Sequence, residues 1–516
     1  MVQNSPRATT APGHSDSATP PSTASSGLDR FFEITKRGST VATEIRGGLV
    51  TFFAMAYIIA LNPLIIGATP DIDGRLVSGY TPTLSETGSV VMDDGVLASM
   101  AMVAAATALI GGLMTILMGV VGRYPIGIAT GLGINAMMAA SIVQSMTWAQ
   151  AMGLVVWEGV IITILVLTGF RKAVFRAVPR VLRTSISVGI GLFVALVGLI
   201  NAGVIRKPSG GGTTPVQLGV DGSLVGWPVL VFVVGLGLVI WLYLRRVKGA
   251  MLIAIAGATV LAVIIEAITH IGSSATYGPT GWSLNVPTLA GVTWSMPDLG
   301  LLFNVDLFGA FAGGPEAILL VLLTIFALLL ADFFDTMGTV VAIGQEGGML
   351  DSQGDPPRLQ QILLVDSIAA IAGGLGSVSS NTSYIESASG VGEGARTGLA
   401  SIVTGALFLL SVFLAPIVNI IPSEAVAPVL FFVGFLMMTQ ITEIDWNDLE
   451  LAIPAFATLA FMPFSYSITV GIGVGFLLYV FIKTVRGKAR QVHPLLWVVA
   501  ALFLVYFVQG ALLSLF

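Results

Sequence analysis

Residues 319–341 read LLVLLTIFALLLADFFDTMGTVV. The run is apolar and long enough to cross a bilayer, yet it carries Asp332 and Asp335 one helical turn apart. A charged side chain at bilayer depth is costly, so it persists where it handles a substrate, an ion or a proton. No cation precedes the two acids within the run, so nothing local cancels them. A third acid, Glu386, lies in the polar, interrupted stretch 377–392 (SVSSNTSYIESASGVG), flanked by hydrophobic segments. Membrane acids beside a broken helix point to a transporter.

Composition fixes the wider class. Hydrophobic residues make up 55% of the chain and charged residues 10%, against about 25% charged in soluble domains. The mean hydropathy is +0.93. This is the composition of an all-α polytopic membrane protein whose main partner is the lipid bilayer. The 61 glycines suit close helix–helix approach in lipid. A net charge of −5 argues against nucleic acid as a partner. With no cysteine, and only His14, His270 and His493, thiolate chemistry and a histidine metal cluster are excluded. No metal site and no cofactor are expected, and no nucleophile–base constellation suggests an enzyme. Gly131-x-Gly133-x-x-Ala136 superficially matches a dinucleotide fingerprint but lacks the preceding strand and soluble fold. Residues 1–28, rich in Ser, Thr, Pro and Ala, are expected to form a disordered cytoplasmic tail. The first apolar run begins near Gly47, too far in for an ordinary secretory signal, and is read as a retained span.

At about 20 apolar residues per crossing, spans are expected near 48–67, 96–121, 126–146, 150–170, 184–205, 226–244 and 250–270. A second set follows near 317–344, 359–376, 380–393, 397–420, 424–442, 448–464 and 467–485, leaving 493–514 as an extra C-terminal hydrophobic segment. With a cytoplasmic N-terminus, only Arg75, Arg206 and Lys207 of the 23 Lys and Arg residues fall in outer segments. The expected location is the cell membrane.

Seven spans per half make the second half enter the membrane in the opposite sense. Inverted repeats of this kind hold substrate near the midplane, between discontinuous helices. Each half has a poor third span: 125–136 (PIGIATGLGINA) in the first, 377–392 in the second. Extended backbone there is tolerable only where it faces a cavity or another protein strand. In the first of these, Asn135 can donate and accept at once; it is a site candidate that could equally brace two helices. Asp366, in the next span after the aspartate pair, is as readily a structural anchor for the broken segment. Glu158 and Glu266 are read as lying nearer span ends and as structural or interfacial.

At these residues the chain resembles the nucleobase–cation symporter-2 superfamily, specifically its adenine–guanine–hypoxanthine permease branch. The matching stretches are 43–48 (TEIRGG), 52–63 (FFAMAYIIALNP), 131–137 (GLGINAM), 331–338 (ADFFDTMG), 381–390 (NTSYIESASG), 392–398 (GEGARTG) and 454–466 (PAFATLAFMPFSY). The similarity runs from about residue 28 to 490. It implies a 7+7 inverted-repeat transporter fold of about 14 transmembrane spans, with short antiparallel strands in spans 3 and 10. It also implies a core (transport) domain, 48–170 and 317–420, a gate domain, 184–270 and 424–485, and a homodimer. The implied activity is import of purine nucleobases (hypoxanthine, guanine and/or adenine) by proton symport. The resemblance places substrate at Asn135, Asp332, Asp335 and Glu386, joined by Ser383 and Tyr384. Proton coupling falls to Asp335, Glu386 and Asp332, with Asp366, Gly131 and Gly133 structural near the site.

The chemistry fits a flat, nearly neutral base edged with N–H donors and N/O acceptors. A carboxylate accepts two N–H bonds from one edge, and once protonated it offers a donor. Burial disfavours the charged form of a carboxyl, so a proton can prepare the pocket. Symport then follows from linkage, each ligand raising the other's affinity by the same factor. Phe52, Phe53, Phe334 and Tyr384 are stacking candidates. Sodium, the other possible cation, would need oxygens such as those of Ser379, Ser380, Thr382 and Ser383. The alternative function is an anion exchanger or channel of the same fold, which would favour a cation at the site rather than acids.

Overall fold

A computed structural model describes residues 27–84, 90–169, 178–208, 216–274, 278, 280–283, 285–289, 296–351 and 355–513. The tail expected at 1–28 falls outside these, apart from Gly27 and Leu28, which open a short helix, Gly27–Phe32. In the first half the order is α1 (Val41–Gly67), α2 (Asp94–Gly122), β1 (Ile128–Thr130), α3 (Leu132–Ile142), α4 (Trp148–Leu167) and α5 (Arg180–Asn201). A small hairpin, β2 (Ile205–Arg206) with β3 (Gln217–Leu218), precedes α6 (Trp227–Leu244) and α7 (Ala250–Thr269).

The second half runs α8 (Gly314–Glu346), α9 (Leu359–Leu375), β4 (Asn381–Ser383), α10 (Ala388–Gly392), α11 (Gly398–Ser411), α12 (Ser423–Met438), α13 (Leu449–Phe464) and α14 (Ile468–Val485). Among the described residues, 10 helices are long and apolar enough to cross a membrane, and shorter apolar helices lie at Leu132–Ile142, Leu359–Leu375, Leu449–Phe464 and Pro494–Val508. The chain is a multi-pass membrane protein.

Polar residues at the ends of apolar runs set where the helices begin. Asp93 accepts from the Val96 amide at the start of α2. Thr147 and Gln150 form a reciprocal capping box on α4. Thr397, Asp448 and Ser467 cap α11, α13 and α14. Each such side chain satisfies an amide that lipid could not.

The packing shows the repeat directly. The α4–α9 contact is mirrored by α11–α2, α6–α7 by α13–α14, and α5–α13 by α12–α6. Two contacts lie on the pseudo-axis itself: α5 on α12, and β1 on β4. At the first of these a Cβ on Gly191 would sit 2.8 Å from the Gly434 carbonyl oxygen, so the helices approach backbone to backbone. This is a 7+7 inverted-repeat fold. Helices α1, α2, α4, α8, α9 and α11 pack together as one group, and α5–α7 with α12–α14 as another.

The leftover segment is helix α15 (Pro494–Leu513), which packs on α14 and also touches α8. Phe503, fully buried, lies over Gly473. At the start of α13, Glu450 binds Lys483 (2.8 Å), Arg486 (3.0 Å) and Lys488 (2.6 Å), tying α13 to the end of α14.

Candidate functional site

Spans 3 and 10 stop being helical where their glycines and hydroxyl residues fall, and the two extended pieces meet. β1 and β4 pair antiparallel, with Ile128 opposite Ser383, Ala129 opposite Thr382 and Thr130 opposite Asn381. Backbone exposed in an apolar interior must find partners, and here each edge does. Gly131 N–H donates to the Ser380 carbonyl (2.9 Å) and Tyr384 N–H to the Gly127 carbonyl (3.0 Å). The Thr115 hydroxyl donates to the Ile128 carbonyl (2.9 Å) and accepts from the Ile128 N–H (2.8 Å).

Asp366 of α9 anchors the second strand. One carboxyl oxygen accepts from the Ser383 N–H (3.1 Å) and hydroxyl (2.8 Å), the other from the Thr336 hydroxyl (2.8 Å). The Ser383 hydroxyl therefore gives its proton to Asp366. The Tyr384 hydroxyl, likewise, donates to the Thr130 carbonyl at 2.5 Å. Asn135, fully buried, donates its amide to Asn62 (2.7 Å) and to Thr130, while Asn62 donates to Thr107 (2.8 Å). These bonds brace α1, α2 and α3 around β1; the Asn135 Oδ1 has no partner among the described residues.

Asp335 and Asp332 part company. Asp335 lines a cavity at the seam, with Ala331 of its own helix α8 and Gly131, Gly133 and Ile134 at the start of α3 on one side, and Ile186, Ser187 and Ile190 of α5 and Met437 of α12 on the other. Among the described residues of that lining, Asp335 is the one ionisable side chain. A methyl on Gly133 would fall on Ile190 of α5, so glycine lets the two groups meet at this point. Glu386, just beyond β4, accepts from the Tyr57 hydroxyl at 2.6 Å. Asp332 does not line the cavity: it is fully buried and lies against Glu158 of α4. Glu158 sits mid-helix, also fully buried, not near a span end. Glu266 does sit at the end of α7, where it accepts from the Trp282 indole N–H (2.8 Å) and the Ile271 N–H (3.1 Å).

The aromatic candidates divide similarly. Phe52 packs edge-on against Phe53 and Phe408 as ordinary core; the Phe334 side chain falls outside what the structure describes. Among the described residues, no group of three or more His, Cys, Asp or Glu is placed to hold a metal. What the arrangement offers is a seam cavity with one carboxyl in its wall, beside crossed strands and a second carboxyl fixed by a tyrosine.

The sequence profile of a permease family matches residues 76–477. The chain is 35% identical to the guanine/hypoxanthine permease PbuG of Bacillus subtilis, over 93% of this chain and 99% of that protein. It is 34% identical to the adenine permease AdeP of Escherichia coli, over 92% and 95%. In three dimensions it is similar to the transmembrane domain of the cyanobacterial bicarbonate transporter BicA, with a TM-score of 0.52 and 16% identity over 84% of this chain and 96% of that one. The murine anion transporter Slc26a9 in its inward-facing state gives a TM-score of 0.57 at 11% identity, over 93% and 77%. At these identities the structural likenesses speak for the fold alone.

Proposed function

The chain belongs to this permease family, the nucleobase–cation symporter-2 family, and on that premise we propose that it is a secondary active transporter importing purine nucleobases by proton symport. It works in the cell membrane as a homodimer, with its N-terminus in the cytoplasm. The observation that carries the reading is Asp335, a carboxyl in the wall of a cavity between two helix groups, with no cation in the described lining. A neutral purine edge presents N–H donors that such a carboxyl can accept, whereas an anion would be repelled. Glu386, oriented by Tyr57, supplies a second carboxyl beside the strands. Asn135, Ser383, Tyr384 and Asp366 hold the crossed strands in the geometry this requires.

The two helix groups correspond to the core (transport) domain, 48–170 and 317–420, and the gate domain, 184–270 and 424–485. Because the cavity is lined from both, relative motion of the groups opens it to one side and then the other. The placement of basic residues supports the cytoplasmic N-terminus.

Uptake of radiolabelled hypoxanthine, guanine and adenine in a transport-deficient host tests this. Accumulation is expected to rise as external pH falls from about 8 to about 6, the sign linkage requires when a proton enters with the base. A protonophore is expected to collapse accumulation while base exchange continues. Uptake of anions without purines would overturn the substrate class. Purine uptake lost without sodium, and indifferent to pH and protonophore, would overturn the proton.

A further inference from the structure

Among the described residues, seven carboxyl side chains are almost completely buried: Glu44, Glu158, Glu266, Asp332, Asp366, Glu424 and Glu450. Five of them receive hydrogen bonds or ion pairs. Glu44 accepts from the amides of Arg396 (2.8 Å) and Thr397 (3.2 Å), and Glu424 from the Ser283 amide (2.8 Å). Glu266, Asp366 and Glu450 have the partners described above. Glu158 and Asp332 differ. None of their four carboxyl oxygens receives a hydrogen bond from the described residues, and the polar groups beside them are each other and the hydroxyls of Ser380 and Thr382. The Ser380 hydroxyl is itself fully buried, unpartnered and turned toward Glu158.

The surroundings offer no positive charge. Of the elements packed on α4, helix α9 contributes Asp366 and α8 contributes Asp332 and Asp335. No lysine, arginine or histidine among the described residues acts on the pair. Two ionised carboxyls touching in a dry interior repel strongly, and each also loses its hydration. One proton resolves both problems. The acid's O–H donates to the other group's carboxylate oxygen, giving a short charge-assisted bond and a single negative charge.

We infer that Glu158 and Asp332 share one proton and form the coupling-proton site of this transporter, set behind the base cavity rather than in it. The inference rests on the proposed base import and adds Glu158 to its machinery. Release of the proton leaves two charges facing each other across the α4–α8 contact. Asp332 lies one helical turn from Asp335, and Ser380 and Thr382 lead into or belong to β4. Proton occupancy therefore alters the helix and strand that form the base site without occupying that site.

The test uses the full-length protein in proteoliposomes, with hypoxanthine, guanine and adenine as probes. Base exchange needs no net proton movement; accumulation driven by an inward acid gradient does. Glu158→Gln, similar in shape but unable to share the proton, is expected to exchange base at near the wild-type rate and to lose gradient-driven accumulation at least tenfold. A folded Glu158→Gln protein that accumulates base like the wild type overturns the inference, as does one that loses exchange and accumulation together. Infrared spectra of the wild type give a reading independent of any variant's folding. A protonated-carboxyl band at neutral pH that shifts in D₂O, as a proton that loads and unloads must, and that persists when bound base covers Asp335 in the cavity, supports the pair, since the other buried acids are held by donors. Absence of that band overturns it. Wild-type protein that exchanges no purine at all would sink the functional reading instead, leaving the infrared result to stand or fall alone.

Discussion

Spans 3 and 10 occupy equivalent places in the repeat and pair strand to strand, yet they are built from different chemistry. The first is neutral: glycines, the Thr115 hydroxyl and the amides of Asn62 and Asn135 satisfy β1 and fix α3. The second is ionic: the Asp366 carboxyl holds β4, and Glu386 follows three residues beyond the strand. A fold symmetric in backbone is thus asymmetric in charge. One arm supplies shape and the other supplies groups that can exchange a proton.

The largest expected effect follows from that asymmetry. Glu386→Gln keeps a polar side chain facing Tyr57 and removes the charge. Concentrative purine uptake is expected to be abolished, with the protein still folded and in the membrane. Wild-type accumulation by this variant would take Glu386 out of the mechanism and weaken the contrast between the arms. Asp335→Asn comes next. Its carboxyl faces the cavity, so the change is expected to raise the KM for base more than tenfold. A change in maximal rate alone would move Asp335 from binding to coupling.

A third pair of substitutions weighs the anchors themselves. Asp366→Ala removes three hydrogen bonds to a buried carboxyl, each charge-assisted bond contributing about 1.5–3 kcal/mol. It is expected to lower thermal stability in detergent sharply and to reduce transport with it. Thr115→Val removes the neutral counterpart at β1 and leaves the Ile128 amide and carbonyl unpaired, a cost of about 1–3 kcal/mol per group. The stability loss is expected to be smaller. Equal losses in the two arms would show that charge adds nothing to the anchoring of β4.

Much of this architecture is legible in the sequence. Apolar runs of bilayer length mark the helices, and Gly, Ser and Thr mark the two breaks, because backbone without helical bonds needs small residues and hydroxyls around it. That the breaks are strands came from family resemblance; three-residue extended pieces have no periodicity to read. The split between Asp332 and Asp335 was hidden as well. Residues at i and i+3 share one broad helix face, and only packing decides which neighbour each meets. Glu158 was missed for a related reason. An isolated acid in an apolar helix shows no partner in sequence, and its partner lies on α8, far along the chain. The signal that could have found it was its position, near the centre of WAQAMGLVVWEGVIITILVL, where an unpaired acid is least tolerated.

The smallest expected effect sits at the far ends of the two arms, where each reaches the other helix group. At the end of α3, the Ser141 hydroxyl donates to the Tyr466 carbonyl between α13 and α14 (3.0 Å). Beyond α10, Glu393 binds Arg46 of α1 (3.0 Å) and Lys248 of the α6–α7 loop. One tie is neutral and the other ionic, repeating the contrast of the arms. Lys248 is 45% exposed and Glu393 20%, so the ion pair contributes only about 0.2–1 kcal/mol after solvent screening. A shift of up to about 1 kcal/mol changes the balance between two conformations by up to about fivefold. Lys248→Ala is therefore expected to change the ratio of KM to maximal rate by less than about fivefold at low salt, where the pair is felt. At about 1 M salt, where the Debye length is about 3 Å, variant and wild type are expected to converge. Ser141→Ala breaks a neutral bond, so its effect is expected to persist unchanged across the same salt series. Salt-insensitive behaviour of Lys248→Ala would show that the ionic tie does not hold the two groups together, and would leave the asymmetry confined to the strands.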